Sequence, residues 1–242
     1  MAPFNSRGAK LVHSYRTHFG LDEYPISENG MWLNGRKDGM DWSDVITKRG
    51  MCYGEVSGFR YGGKMERRVE QAHPIFGKIV ATEAPVGDYD DPTAILRGVW
   101  GRNQHVTAKV FSRNPTDKYF QECEIRLRSM IVPHRQPGYE IFFRPLKTEK
   151  GYAEIVRWPG GLGEFVSLKR FDGPNYGVKD GDVVEATIEG NVIKGFINGV
   201  EVISVTDDVY KSGAPGVGFN YGVGYTNADF GFTSFEVETY DD

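Results

Sequence analysis

Apolar and polar residues alternate with a period of two over much of the chain, and the C-terminal half shows it most plainly. In Val183–Glu189, Val184, Ala186 and Ile188 fall on one face and polar or charged residues on the other, the signature of a half-buried strand. Gly190-Asn191 turns the chain into a strand over Val192–Ile197. Asn198-Gly199 then predicts a tight hairpin, because both central residues of that turn need positive φ. Val200–Val205 returns, Asp207-Asp208 opens a loop, and Gly213–Gly216 leads into Val217–Tyr221. Phe230–Glu238 alternates again as a last strand.

The middle of the chain reads the same way. His105–Phe111, Glu122–Arg128, Tyr139–Arg144, Tyr152–Trp158 and Phe165–Phe171 are each bounded by Pro, Gly or Asn, at a spacing of roughly 13–17 residues. No amphipathic helix alternates with them, so the pattern predicts an antiparallel β-sandwich rather than a parallel βαβ fold. Residues 1–92 are harder to read. Trp32, Trp42 and Tyr53 punctuate short segments, and Lys64–His73 is compatible with a short helix. The expectation is one β-sandwich domain over 1–242 with few short helices and an excursion from the sheets at about 54–85.

Composition narrows the function. The chain has 242 residues, 39% of them hydrophobic, and a formal net charge of -4. A chain so near neutrality lacks the electrostatic footprint of a nucleic-acid or anionic-membrane binder. No run approaches the about 18 apolar residues of a membrane helix. Two cysteines, Cys52 and Cys123, do not make a disulfide framework, and Cys123 reads as a small core residue. A Cys52–Cys123 bridge stays open. Met1–Lys10 has no apolar leader core, which leaves both a cytoplasmic protein and a mature secreted form in play.

Several segments together resemble the concanavalin A-like lectin/glucanase superfamily, within it the laminin-G-like and 3-keto-disaccharide-hydrolase types. They are Tyr89–Ala94, Glu124–Arg128, Gly138–Phe143, Val192–Gly199, Ser212–Phe219 and Ala228–Glu236, with Glu28–Trp32 placed in the opening strand. The resemblance covers about residues 86–240. It implies a two-sheet antiparallel jelly roll and a poly- or oligosaccharide ligand on a concave sheet face. It does not carry catalytic residues over. There is no Glu-x-Asp-x-Glu strand of laminarinase type, and the Arg/Glu and Gln-x-His patterns of alginate-lyase-like proteins are missing. The superfamily holds hydrolases, lyases, binding modules and adhesion domains, so fold alone does not name the activity.

The polar faces of the middle strands hold the candidate chemistry. Glu122, Glu124, Arg126 and Arg128 share one side of their strand; His105, Thr107 and Lys109 share a side of theirs; Glu140, Phe142 and Arg144 share a third. If these strands are neighbours, one face carries carboxylates, guanidinium groups, an imidazole and an aromatic, a mixture suited to sugar hydroxyls and pyranose rings. Glycoside hydrolysis would use Glu124 with Glu140. β-Elimination on a uronic-acid polymer would use His105 as base and Arg126 against the substrate carboxylate, with a tyrosine. Arg128, Arg144, Lys109, Tyr221 and Tyr225 are the expected sugar contacts. Trp42, Tyr61, Trp100, Trp158 and Tyr176 are further groove candidates, and His73 and His134 loop candidates. Asp229 and Asp90-Asp91 offer oxygen ligands for a structural Ca²⁺, without a spacing that defines a metal site. The competing interpretation is a solvated face with cross-strand ion pairs. A non-catalytic binding or adhesion module and a structural jelly roll therefore remain as alternatives to a hydrolase or lyase.

Overall fold

A computed structural model describes residues 10–39, 42–54, 68–73, 77–82, 91–118, 121–221 and 227–241. In chain order the strands are β1 (Lys10–Thr17), β2 (Trp32–Asn34), β3 (Val45–Lys48), β4 (Met51–Gly54), β5 (Arg68–His73) and β6 (Gly77–Thr82). Then come β7 (Thr93–Leu96), β8 (Asn103–Ser112), β9 (Gln121–Ser129), β10 (Gly138–Phe143), β11 (Tyr152–Trp158) and β12 (Phe165–Asp172). The last are β13 (Val183–Glu189), β14 (Val192–Ile197), β15 (Val200–Thr206), β16 (Ala214–Tyr221) and β17 (Phe230–Asp241).

They form two antiparallel sheets. One runs β15-β14-β13-β8-β17-β4-β3, with β1 also paired to β17. The second runs β2-β7-β16-β9-β10-β11-β12-β6-β5. The inward faces supply the core. Val106, Ala108 and Val110 of β8 and Val184, Ala186 and Ile188 of β13 meet Cys123, Ile125 and Leu127 of β9 and Ile141 and Phe143 of β10. The two sheets thus pack face to face through their inner side chains. Asn198 and Gly199 take φ of 51° and 78°, so the expected hairpin forms between β14 and β15. Cys52 and Cys123 are free buried thiols, which closes the disulfide question. No helix among the described residues is long and apolar enough to cross a membrane.

Two expectations change. Arg68–His73 is a strand rather than part of a helix. It pairs with Gly77–Thr82, whose backbone at Val80 and Ile79 is in register with Phe165 and Val166 of β12, so the hairpin extends the second sheet instead of leaving it. Pairing partners override a local helix preference in this segment. The rest of the expected excursion, 55–67 and 83–85, lies outside the described residues. The second difference is burial. β9, β10 and β11 are buried along their whole length, on both faces. On the face away from the core, Trp42, Phe142, Tyr152, Val156 and Trp158 form a second apolar cluster with Leu162 and Phe165. The cross-strand ion pairs of the competing interpretation do form on this face, but the face is buried rather than solvated.

Candidate active site

Along β9 the pleat sends Glu122, Glu124 and Arg126 to the outer face, because Cys123, Ile125 and Leu127 fill the core. β10 is antiparallel to β9 with Glu140 opposite Arg126 and Phe142 opposite Glu124. On the other side of β9, β16 places Gly216 opposite Arg126 and Gly218 opposite Glu124. Gly218 is open ground for both side chains: a Cβ there would stand 2.2 Å from Glu124 Oε2 and 2.9 Å from Arg126 Nε. Asp91 approaches from the residues just before β7, the next strand beyond β16.

Arg126 sits at the centre of these groups and is fully buried. Its Nη1 pairs with Glu140 Oε2 at 2.8 Å, and its Nη2 lies 3.2 Å from Glu124 Oε2 and 3.7 Å from Asp91 Oδ1. The guanidinium carbon also lies 5.6 Å from the Trp158 ring centroid, within cation–π range. Trp158 Nε1 donates to Glu140 Oε2, and its ring meets Trp42 edge-on at 5.8 Å. Glu140 is thus gripped by a cation and an indole N–H.

Glu124 has a different environment. Burial comes first in pushing its carboxyl well above the ordinary range, and the neighbouring Glu140 and Asp91 charges push it further; Arg126 opposes them only in part. Glu124 Oε1 is buried and makes no hydrogen bond among the described residues, as does Arg126 Nε. Burial works to lower the Arg126 pKa, but Glu140, Asp91 and Glu124 outweigh it and raise the net value. Burial and its acidic neighbours thus favour the protonated form of Glu124, beside a Glu140 that is ion-paired with Arg126.

Asp91, Glu124 and Glu140 bring ligand oxygens within 4.8 Å of one another, so the cluster is of a size that could hold a metal ion. The donor set fits Ca²⁺ poorly, since the cation position among these oxygens is filled by Arg126 and a calcium needs six to eight oxygens. Asp229 is elsewhere, accepting from Asn114 Nδ2 at 2.7 Å, and Asp90 lies outside the described residues.

The structure brings together Glu124, Arg126 and Glu140. It does not bring His105 and Lys109 to them, because β8 belongs to the opposite sheet. His105 Nε2 lies 3.0 Å from Glu185 Oε2 on that sheet's outer face. The elimination arrangement of His105 with Arg126 is thereby corrected, and Arg126 is already committed to carboxylates. Arg128 also leaves the face. Its φ of 46° and the register shift opposite it turn the side chain away, and it donates to the carbonyls of Arg102, Tyr210 and Gly190. Arg144 keeps the outer face of β10 but serves to tie loops, donating to the carbonyls of Lys150 and Thr116. Tyr221 is packed in the inter-sheet core rather than offered for stacking. Tyr225 and Tyr61, and the side chain of His73, are not among what the structure describes. Trp100 sits against His13, and Tyr176 stacks on Phe171 at 5.1 Å.

Beside the carboxyl pair lies a set that the alternation pattern did not single out. Tyr152 donates to Glu122, and the Arg170 guanidinium stacks 3.8 Å over the Tyr152 ring while pairing with Glu154 at 2.8 Å. Tyr152 and Glu154 were legible as same-face residues of β11; that Arg170 reaches them depends on the bulge between Ile155 and Val156 in the β11–β12 register.

No family model matches the sequence, and no curated protein matches it. Solved structures do match. An endo-β-galactosidase from Clostridium perfringens that releases GlcNAcα1-4Gal superposes with a TM-score of 0.52 at 9% identity, covering 98% of this chain and 64% of that one. A structure reported for endo-acting O-glycanases of the human gut microbiota gives 0.50 at 10% identity, covering 94% and 99%. The carbohydrate-binding module CBM66 from Bacillus subtilis gives 0.46 at 11% identity, covering 90% and 98%. At such identities the likeness is one of fold, and the fold is the two-sheet concanavalin A-like jelly roll that the strand and turn motifs implied.

Proposed function

We propose that the protein is carbohydrate-active and hydrolyses a glycosidic bond at the Glu124–Glu140 pair. The observation that carries this reading is the pair itself: two carboxyl groups on neighbouring strands, oxygens of each within 4.8 Å, with the Glu124 carboxyl pushed towards its protonated form by burial. Glu124 donates its proton to the leaving glycosidic oxygen. Glu140, oriented by Arg126 and Trp158, meets the developing charge at the anomeric carbon as nucleophile. Water then attacks the glycosyl intermediate and gives a proton back to Glu124. Oxygens this close leave no room between them for the attacking water of an inverting hydrolase, which favours a retaining course. Two fold neighbours described as an endo-β-galactosidase and an endo-acting O-glycanase support the same substrate class.

A second reading has its own observation. Glu124 and Arg126 are 0% exposed and Glu140 2%, so hydrolysis requires the side chains over the pair to move. A sugar-binding module, with this cluster as its structural centre, needs no such opening. Mass spectrometry of products from neutral galactans, β-glucans and mucin O-glycans separates the two. Hydrolysis adds one water per cleavage and retains the anomeric configuration by proton NMR, and Glu124→Gln and Glu140→Gln abolish it. Glycan binding with no product supports the binding module. Wild-type turnover by both variants would overturn the placement of the site.

A further inference from the structure

Strands β9 to β12, with Arg144 just after β10, carry six cationic side chains, and each is committed inside the protein. Arg126 is held by Glu140, Glu124 and Asp91. Arg128 and Arg144 donate to main-chain carbonyls. Arg157 pairs with Asp207, Arg170 with Glu154 and Asp172, and Lys169 Nζ donates to the Ser204 carbonyl. The same outer face presents Glu122, Glu124, Glu140 and Glu154, with Asp91 beside them. An anionic sugar would bring its sulfate or carboxylate against these oxygens, and none of the cations that β9 to β12 and Arg144 contribute among the described residues is left uncommitted to meet it. Sites that recognise such groups do so with arginine donors aimed at them, and an anion desolvated without a partner is heavily penalised.

From this arrangement we infer that the sugar taken at the Glu124–Glu140 pair is uncharged, a neutral hexose or N-acetylhexosamine unit, and that sulfated and uronic-acid glycans are rejected. The inference rests on the carbohydrate reading above but is separable from it. Arg126, which a lyase would aim at a uronate, here stabilises the protein's own carboxylates. Neutral sugars need only hydroxyl-directed hydrogen bonds and apolar ring contact, which the carboxyl oxygens and the Trp42–Trp158 cluster supply in kind once the side chains over the pair move aside.

The test is binding of the full-length protein to an array holding neutral, sulfated and uronic-acid glycans, followed by titration of matched pairs such as laminarin with sulfated laminarin and desulfated keratan with keratan sulfate. The expected result is binding confined to neutral glycans, with the charged partner about a hundred-fold weaker or worse. Affinity for the neutral partner should hold steady as salt is raised, since no charge pair forms that ions could screen. A sulfated or uronic-acid glycan bound as tightly as its neutral partner would overturn the inference while leaving the carbohydrate reading intact. Binding to no glycan at all overturns both. Neutral binding without turnover supports the substrate class and refutes only the hydrolysis.

Discussion

Glu124→Gln tests the site through stability as well as activity. The buried carboxyl has a pKa raised well above its ordinary 4.5, first by desolvation and then by Glu140 and Asp91. The folded protein therefore binds a proton that the unfolded chain releases at about pH 4.5, and stability must fall as pH rises above that value. For one proton the slope is at most about 1.4 kcal/mol per pH unit, continuing until the pH passes the raised folded value. Glutamine is the uncharged counterpart of the protonated acid. Its amide oxygen can keep the Arg126 Nη2 contact, 3.2 Å in the wild type, and its NH₂ takes the place of Oε1, which makes no hydrogen bond in the wild type. Glu124→Gln should thus match the wild type near pH 5 and gain on it progressively towards pH 8. Under the proposed mechanism the same substitution removes the proton donor, so kcat should fall by roughly 10²–10⁴. Urea unfolding at several pH values from 5 to 8, with product assays alongside, measures both. A stability gap that is constant across this range, or one that grows against the glutamine variant, would refute the claim that Glu124 is protonated in the folded state.

Gly218→Ala places a methyl 2.2 Å from Glu124 Oε2 and 3.1 Å from Arg126 Nη2; it should cost about 2–4 kcal/mol and lower kcat about a hundred-fold, by urea melts and kinetics, and wild-type values would show that the two side chains can shift freely. Arg128→Met strands the carbonyls of Arg102, Tyr210 and Gly190, now donated to at 2.7–2.9 Å. A loss of about 3–5 kcal/mol is expected, or about 10 °C in Tm by calorimetry, and a loss under about 1 kcal/mol would mean that the guanidinium is not the staple described. His105→Ala removes a partly exposed pair with Glu185 on the opposite sheet, so turnover should change less than two-fold and stability by under about 1 kcal/mol; a ten-fold drop in turnover would return His105 to the site.

Alternation told the inner from the outer residues of β8, β9, β10 and β13, and Asn198-Gly199 announced its hairpin. What alternation lacks is any label for which sheet a strand joins. His105 and Glu124 stood on equal terms in the sequence, yet β8 lies between β13 and β17 while β9 lies between β16 and β10. Consecutive strands of a two-sheet sandwich often cross between layers, and the cross-over is decided by pairing over long separations. Arg128 was misplaced for a local reason, a left-handed φ that reverses its side and that no residue type at the position signals. Asp91 was noticed for its oxygen but not for its neighbours, because it reaches Arg126 through β7 and β16, which are more than a hundred residues apart in the chain. Polar residues every second position suggested a wet face. The apolar cover of Trp42, Phe142, Val156 and Trp158 comes from several segments, and only the assembled sheet shows it.

That cover raises the question of why three carboxyl groups and an arginine are buried at all. Removing such groups from water costs several kcal/mol per ion, and mutual attraction seldom does more than offset it. A fold under selection for stability alone would fill the space over Gly216 and Gly218 with apolar side chains. The combined variant Asp91→Asn, Glu124→Leu, Arg126→Met and Glu140→Leu removes every charge of the cluster together and leaves none stranded. If the cluster exists for chemistry, this variant should fold with stability equal to the wild type or up to about 4 kcal/mol higher, and should have no hydrolytic activity. Urea unfolding at neutral pH decides it. A loss of several kcal/mol would show that the ionic network holds the β9–β10–β16 face together. The cluster would then be a structural centre, as the sugar-binding module requires, and the carboxyl pair would have no claim to catalysis.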